Sequence, residues 1–197
     1  MRIKNTYYGI VDAKNVAINE NEIAQRMSTE RGYTNDVIER CEKVLRENVR
    51  CRYSAVRTDI LCEGNSIDFG FMKTESSDLA KNLQGCEEAF VMTMTLGIDV
   101  DRLLTKLSAS SASEHYITDA LSSALAEAVC DYAENRLKGD TLCRPRFSPG
   151  YGDLPLDIQK DVLNVVSAEK LLGITLSETN LMIPQKSITA IIGIIKN

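Results

Sequence analysis

Arg146-Phe147-Ser148-Pro149-Gly150-Tyr151, followed four residues later by Pro155, sets a fixed positive charge, two residues hostile to helix and an aromatic ring within six positions. Arginine stays protonated, and its planar fork of donors matches a carboxylate or a phosphate. Pro149 fixes its own φ, and Gly150 admits backbone angles that other residues resist. The stretch therefore reads as a rigid turn that aims backbone polar groups and a ring at one place. An ordinary loop between two helices, with Arg146 in a surface ion pair, fits the same residue types. What flanks the turn separates the two readings.

Downstream, Asp157 to Leu172 reads as a helix with Ile158, Val162, Val165, Val166 and Leu172 facing inward, closed by Gly173. Ser187 to Ile195 is β-rich and apolar, the pattern of a final buried strand. Upstream, a long helix is expected from about Ser113 to Lys138. Ile117, Ala120, Leu121, Ala124, Leu125, Ala128, Val129 and Tyr132 form a continuous apolar stripe along it. Ser123, Glu127 and Asp131 recur every four residues on its flank, where small residues and two carboxylates leave room for a ligand. A solvated helix face would carry the same pattern. Gly139-Asp140 ends this helix.

Farther upstream, Ala89 to Gly97 is the strongest strand in the chain, followed by a short helix over Ile98–Leu107 and a small-residue break over Ser108–Ser113. Residues 52–62 read as a strand, with a second at Ser66–Phe71 after the Gly64-Asn65 turn. Ser76-Ser77-Asp78 caps a short helix ending near Gln84-Gly85. Gly32 and Tyr33 lead into Thr34-Asn35-Asp36, which opens an amphipathic helix running to about Arg50. It carries Val37, Ile38, Cys41, Val44, Leu45 and Val49 on one face. Residues 1–30 are mixed and polar, with a short helix at Glu20–Met27 after Asn19. Strands at both ends of a helix-rich middle, without βαβ alternation, give an α+β fold: an antiparallel sheet with packed helices. Residues 1–85 form an N-terminal portion packing on a core at 86–197, in one continuous domain.

Composition excludes several function classes. With 23 basic against 28 acidic residues the net charge is -5, and no basic run is long enough to track phosphates, so no nucleic acid is expected as a partner. Seven Tyr, four Phe and no Trp supply no stacking platform for single strands. No apolar run approaches the roughly 20 residues of a membrane helix, and the N-terminus lacks a signal-peptide core. No membrane association is expected, and the location read from this is cytoplasmic. Six scattered cysteines without a C-x-x-C pair fit reduced intracellular thiols, with Cys130 and Cys143 near one another in sequence as a pair to weigh for redox chemistry against the reading of small buried hydrophobes. His115 is the sole histidine, which leaves little for a His-based metal site or catalytic pair.

Taken together, the Arg146 turn, the carboxylates on the long helix and Leu176-Ser177-Glu178-Thr179-Asn180-Leu181-Met182-Ile183-Pro184 suit a small zwitterion carrying a nucleobase. No phosphate-binding glycine loop is present. These residues resemble the S-adenosylmethionine-binding activation domain of cobalamin-dependent methionine synthase. That family has an Arg-x-x-x-Gly-Tyr-Pro-x-x-Pro turn, a helix with Ala-Glu-Lys and a following Gly-Ile/Met. Leu-Thr-Glu-Ser-x-x-Met-x-Pro and a Ser-Val-Ser strand come next. Here Arg146, Gly150, Tyr151 and Pro155 are followed in the same order by Ala168-Glu169-Lys170, Gly173-Ile174, Leu176-Ser177-Glu178-Thr179, Met182, Pro184 and Ser187-Ile188-Thr189. Ala89-Phe90-Val91 and Leu125-Ala126-Glu127-Ala128 resemble the family's strand and its long-helix Ala-Glu-Ala. The resemblance covers about residues 86–193.

The resemblance implies a domain that presents S-adenosylmethionine to a cobalamin cofactor for reductive remethylation, with one electron commonly supplied by flavodoxin. Arg146 would then hold the methionyl carboxylate, Gly150 and Tyr151 would shape the adenosine pocket, and Glu127 would contact the polar end of the ligand. Glu178 completes the candidate set. No Asp-x-His-x-x-Gly cobalamin signature occurs, so the cobalamin is expected on a partner, a separate cobalamin-binding methyltransferase of methionine biosynthesis or a related corrinoid pathway. Flavodoxin or another one-electron donor is the second expected partner. Gly152 stands where the family has Pro, implying a looser turn, and Leu154-Pro155-Leu156-Asp157-Ile158-Gln159-Lys160 lacks the family's His. Ile183 replaces the aromatic before Pro184, and the family's closing Tyr segment has no counterpart before Asn197. The alternative is a non-catalytic interaction module of the same fold that has lost S-adenosylmethionine binding. A third reading is an independent enzyme using Glu127, Asp131 or Glu178 as acid or base.

Overall fold

In the computed structural model, which describes residues 2–27 and 34–196, the apolar strand core of the sequence becomes a four-stranded antiparallel sheet. Its strands are β1 (Ile3–Ile10), β2 (Arg52–Asp59), β6 (Cys86–Thr95) and β9 (Ser187–Ile195), in the order β1-β2-β6-β9. Residues from the first 85 positions thus share one sheet with the later part of the chain. β3 (Leu61–Glu63), β4 (Ser66–Asp68) and β5 (Lys73–Glu75) form a small separate sheet, and β7 (Thr175–Leu176) pairs with β8 (Met182–Ile183).

Side chains alternate across a strand, and here both faces are covered. Phe90, Met92 and Met94 of β6 and Ala190, Ile192 and Ile194 of β9 point into one core, while Ala89, Val91 and Ile191 point into the other. The first face carries α1 (Glu20–Arg26), α2 (Asn35–Asn48), α4 (Ile98–Ser110) and the 27-residue α5 (Ala112–Lys138). The second carries α3 (Ser77–Asn82), α6 (Gln159–Val165), α7 (Ala168–Leu172) and residues of the small sheet. Ile117, Leu121, Leu125 and Val129 of α5 are fully buried, each contributing about 1.5–3 kcal/mol of apolar transfer. The α5 stripe runs farther along the helix than the sequence suggests, for Ala133 and Leu137 are also buried, whereas Tyr132 is 39% exposed.

Several sequence expectations are corrected. The helix expected over Asp157–Leu172 is two short helices, broken at Ser167, which takes left-handed angles (φ 52°, ψ 41°). At the break a tertiary bond takes a helical acceptor, Ser54 Oγ donating to the Val166 carbonyl at 2.7 Å, and Arg52 Nη2 caps the far end of α7 through the Leu172 carbonyl at 2.9 Å. The strand expected over 52–62 ends at Asp59: Ile60 still donates its amide to the Glu87 carbonyl, in register with β6, and the chain then passes into the small sheet at Leu61. The strand at Ser66–Phe71 is shorter, Ser66–Asp68. β1 was not expected at all. The Ser108–Ser113 break reduces to Ser111, which ends α4 and caps α5 through its hydroxyl. Gly32 and Tyr33, read as the lead-in to α2, lie outside the described residues.

What positions the site is the segment after α5. It runs along the free side of β9, with Arg144 N donating to Gly193 O and Phe147 and Ile191 exchanging both backbone bonds, all at 2.8 Å. The Arg146 turn is thereby fixed between the end of the sheet and the flank of α5.

Candidate functional site

The i, i+4 ladder on α5 is where the sequence placed it, and it is gripped by two cations. Lys186, at the entry to β9, puts Nζ 2.8 Å from Asp119 Oδ1 and donates to Ser123 Oγ at 2.8 Å. One turn past Ser123, Arg146 Nη2 donates to Glu127 Oε2 at 2.8 Å, and two turns beyond that Nη1 donates to Glu134 Oε2 at 3.0 Å. Nη1 also bonds Asp131, and Glu134 bonds Lys138. Glu134 is the most buried of the three carboxylates, at 11% side-chain exposure against 57% for Asp131. Burial works against the charge of Arg146, yet the hydrogen bonds to Asp131 and Glu134 prevail and raise its pKa above the ordinary arginine value. Arg146 is thus ion-paired, as the ordinary-loop reading had it, with carboxylates that range from exposed Asp131 to largely buried Glu134.

A cavity of about 390 Å³ opens beside this network. One wall is Glu127 and Arg146; a second is the turn, through Phe147, Ser148, Pro149 and Tyr151; the floor is Gln159, Met182 and Ser187–Thr189. Its volume lies within the roughly 300–1,000 Å³ of small-molecule sites. The turn closes on three backbone bonds: Tyr151 N to Ser148 O, Leu154 N to Tyr151 O, and Gly150 N to Leu154 O. Gly150 has φ 86°, and a Cβ there would meet Leu156 Cδ1 at 3.3 Å. Tyr151 projects at the rim, 69% exposed.

The turn is not the looser one that Gly152 implied. Gly152 has φ 53°, which excludes proline and strains any other side chain, and a Cβ on it would stand 2.4 Å from Asp78 Oδ2, so the Asp78 carboxylate would have to swing aside. The next residue, Asp153, accepts from Ser77 N at 2.7 Å, Ser77 Oγ at 2.7 Å and Asp78 N at 3.2 Å, and bonds Ser76 Oγ as well. The Ser76 and Ser77 hydroxyls hold its carboxyl well below the usual carboxylate range. Sequence reasoning passed over Asp153, for its partners lie more than seventy residues away and leave no local signal.

Gln159 was also missed. It is buried beneath the cavity, accepts from Thr189 Oγ1 at 3.1 Å and donates to the Asn180 carbonyl at 2.8 Å, joining α6, β9 and the β7–β8 turn. Ser187 donates to Pro184 O at 2.7 Å beside Thr95 Oγ1. Of the residues singled out from sequence, Arg146, Tyr151 and Glu127 line the cavity, and Gly150 shapes its turn. Glu178 does not line it: it is exposed in the turn between β7 and β8. All six cysteines are free, and burial pushes the Cys130 thiol up to about 12, which removes its nucleophilic form at neutral pH. Among the described residues no group of three or more His, Cys, Asp or Glu side chains is placed to hold a metal ion. No helix among them is long and apolar enough to cross a membrane.

No family model and no curated protein sequence matches the chain. Among solved structures it is similar to the crystal structure of the MetH reactivation domain bound to AdoHcy, with a TM-score of 0.70 and 15% sequence identity. The superposition covers 96% of this chain and 78% of that one. Identity that low with agreement that extensive establishes architecture: the chain has the α+β fold of the MetH reactivation domain.

Proposed function

We propose that the cavity binds S-adenosylmethionine and that the chain serves as a free-standing reactivation subunit. It would present this ligand to cobalamin carried by a separate methyltransferase, with an electron from flavodoxin or another one-electron donor. The observation that carries the reading is the state of Arg146 at the cavity wall. Three of its five N–H donors are committed to Glu127, Asp131 and Glu134, which fixes the guanidinium in place. Nε–H and one hydrogen on Nη2 have no partner among the described residues, which is what a carboxylate needs for two-point attachment.

The remaining residues fit the same ligand. Glu127 is the one carboxylate on the lining and can accept from an amino group. Pro149, the backbone of the turn and Tyr151 offer a flat apolar surface with polar edges for a base, over the buried polar floor of Gln159 and Thr189. Bound S-adenosylmethionine supplies a methyl group already activated on a sulfonium. The protein's part is to hold and orient it with groups that need no rearrangement. The similar MetH domain was solved with AdoHcy, a ligand of this class.

Calorimetric titration with S-adenosylmethionine tests the reading. Wild type is expected to bind and Arg146→Ala to lose at least tenfold in affinity, about 1.4 kcal/mol for each factor of ten. Absence of binding at millimolar ligand would sink the nucleoside reading and favour the interaction module. The partner half is tested separately: co-elution with a cobalamin methyltransferase that lacks such a domain supports it, and failure to co-elute counts against it.

A further inference from the structure

We propose that the cavity selects its ligand by charge, favouring a sulfonium nucleoside over the neutral thioether of nearly the same shape, and that Glu127 sets the preference. The proposal rests on the nucleoside reading given above and concerns a property that reading leaves open. It follows from a count of charges along one flank of α5. Asp119 is balanced by Lys186. Beyond it stand Glu127, Asp131 and Glu134, ion-paired among the described residues with only Arg146 and Lys138.

The wall is thus one negative charge in excess. Lys138 reaches Glu134, and Asp131 and Glu134 both bond the same nitrogen of Arg146, Nη1. Glu127 shares only Nη2, at 2.8 Å, and it alone of the three faces the cavity. A ligand carboxylate arriving on the remaining donors of Arg146 would raise the local negative charge further. A cation brought by the ligand itself restores the balance. Both nucleosides carry an ammonium group, but only the sulfonium adds a second positive charge. Glu127 is a third exposed, so the Coulomb gain is that of a partly screened pair and not that of a dry interior. The expected preference is about tenfold at low ionic strength, the factor that corresponds to ~1.4 kcal/mol. It should narrow in molar salt, where the Debye length falls to about 3 Å.

The test is calorimetry on the full chain with three ligands: S-adenosylmethionine, S-adenosylhomocysteine and sinefungin, whose protonated amine replaces the sulfonium. The proposal expects the two cationic ligands to bind about tenfold more tightly than the thioether, converging as salt is raised. Glu127→Gln, which keeps an acceptor of the same shape, should bring all three within about twofold of each other. Equal affinities in wild type, or sinefungin behaving like the thioether, overturn the proposal while leaving the nucleoside site intact. If none of the three binds, the site reading fails and the proposal falls with it. A tenfold preference that survives in Glu127→Gln would overturn the role of Glu127, and the wild-type series decides the charge preference itself even if that variant folds poorly.

Discussion

Lys186 and Asp119 meet at 2.8 Å across the joint between the start of β9 and the middle of α5, with Ser123 on the same ammonium. The contact bolts the strand that floors the cavity to the helix that walls it. Lys186 is only 15% exposed, whereas Asp119 is 48% exposed and stays half solvated. Lys186→Met should therefore cost about 1 kcal/mol in urea denaturation, since a charge-assisted pair at a partly wet site is worth no more. Asp119→Asn in the Lys186→Met background should add little. Additive losses would show that the two residues act independently.

Asp153 gives a pH signature. Its carboxyl is held below the usual range by the Ser76 and Ser77 hydroxyls. A depressed folded-state pKa contributes stability that is complete above the unfolded value of about 4 and disappears as pH falls through the folded value. Asp153→Ala should melt below wild type at pH 7, and the gap should shrink steadily as the pH is taken below about 4. A gap that stays constant on acidification would mean that the hydroxyl and amide bonds from α3 contribute nothing specific to the ionised form.

Gly152 tests whether the turn and α3 are packed as tightly as the 2.4 Å approach to Asp78 Oδ2 indicates. Gly152→Ala faces two costs, a positive φ and a clash, and together they should remove about 1–3 kcal/mol. Combining it with Asp78→Gly opens space and should recover the steric share but not the backbone share. Full recovery would show that φ 53° carries no penalty at this position; no recovery would show that the neighbour moves aside unaided.

Legibility followed the range of the interactions. The helices α2 and α5, the strands β6 and β9 and the Arg146 turn could all be read because their patterns are local: apolar spacing, caps and a Pro-Gly pair. β1 could not, because it is a sheet edge whose side chains from Ile3 to Thr6 are exposed and show no alternation. The Ser167 break was equally hidden, since the partner that takes the Val166 carbonyl beside it, Ser54, lies on a strand more than a hundred residues away. In the site, four-residue spacing disclosed Glu127 and Asp131. Glu134 sits seven residues past Glu127, two turns along the same flank, and was overlooked because it falls outside the strict four-residue spacing of Ser123, Glu127 and Asp131. Asp153 and Gln159 act only through distant partners, and Glu178 was taken from a motif whose backbone turns it to solvent.

The network around Arg146 makes a further prediction about stability, separate from ligand binding. Removing the guanidinium leaves Glu127, Asp131 and Glu134 facing one another, with Lys138 as the remaining cation bonded to them. Glu134, at 11% side-chain exposure, is the carboxylate that water relieves least. Arg146→Met should therefore cost about 2–3 kcal/mol, somewhat below the 3–5 kcal/mol of a fully buried pair because Glu127 and Asp131 keep solvent contact. Glu134→Gln should return part of that loss in the Arg146→Met background while destabilising the wild type. The opposite signs in the two backgrounds are the diagnostic, read from urea midpoints at constant slope. If Glu134→Gln destabilises both backgrounds equally, Glu134 answers chiefly to Lys138, and the turn is held to α5 through Glu127 and Asp131 alone.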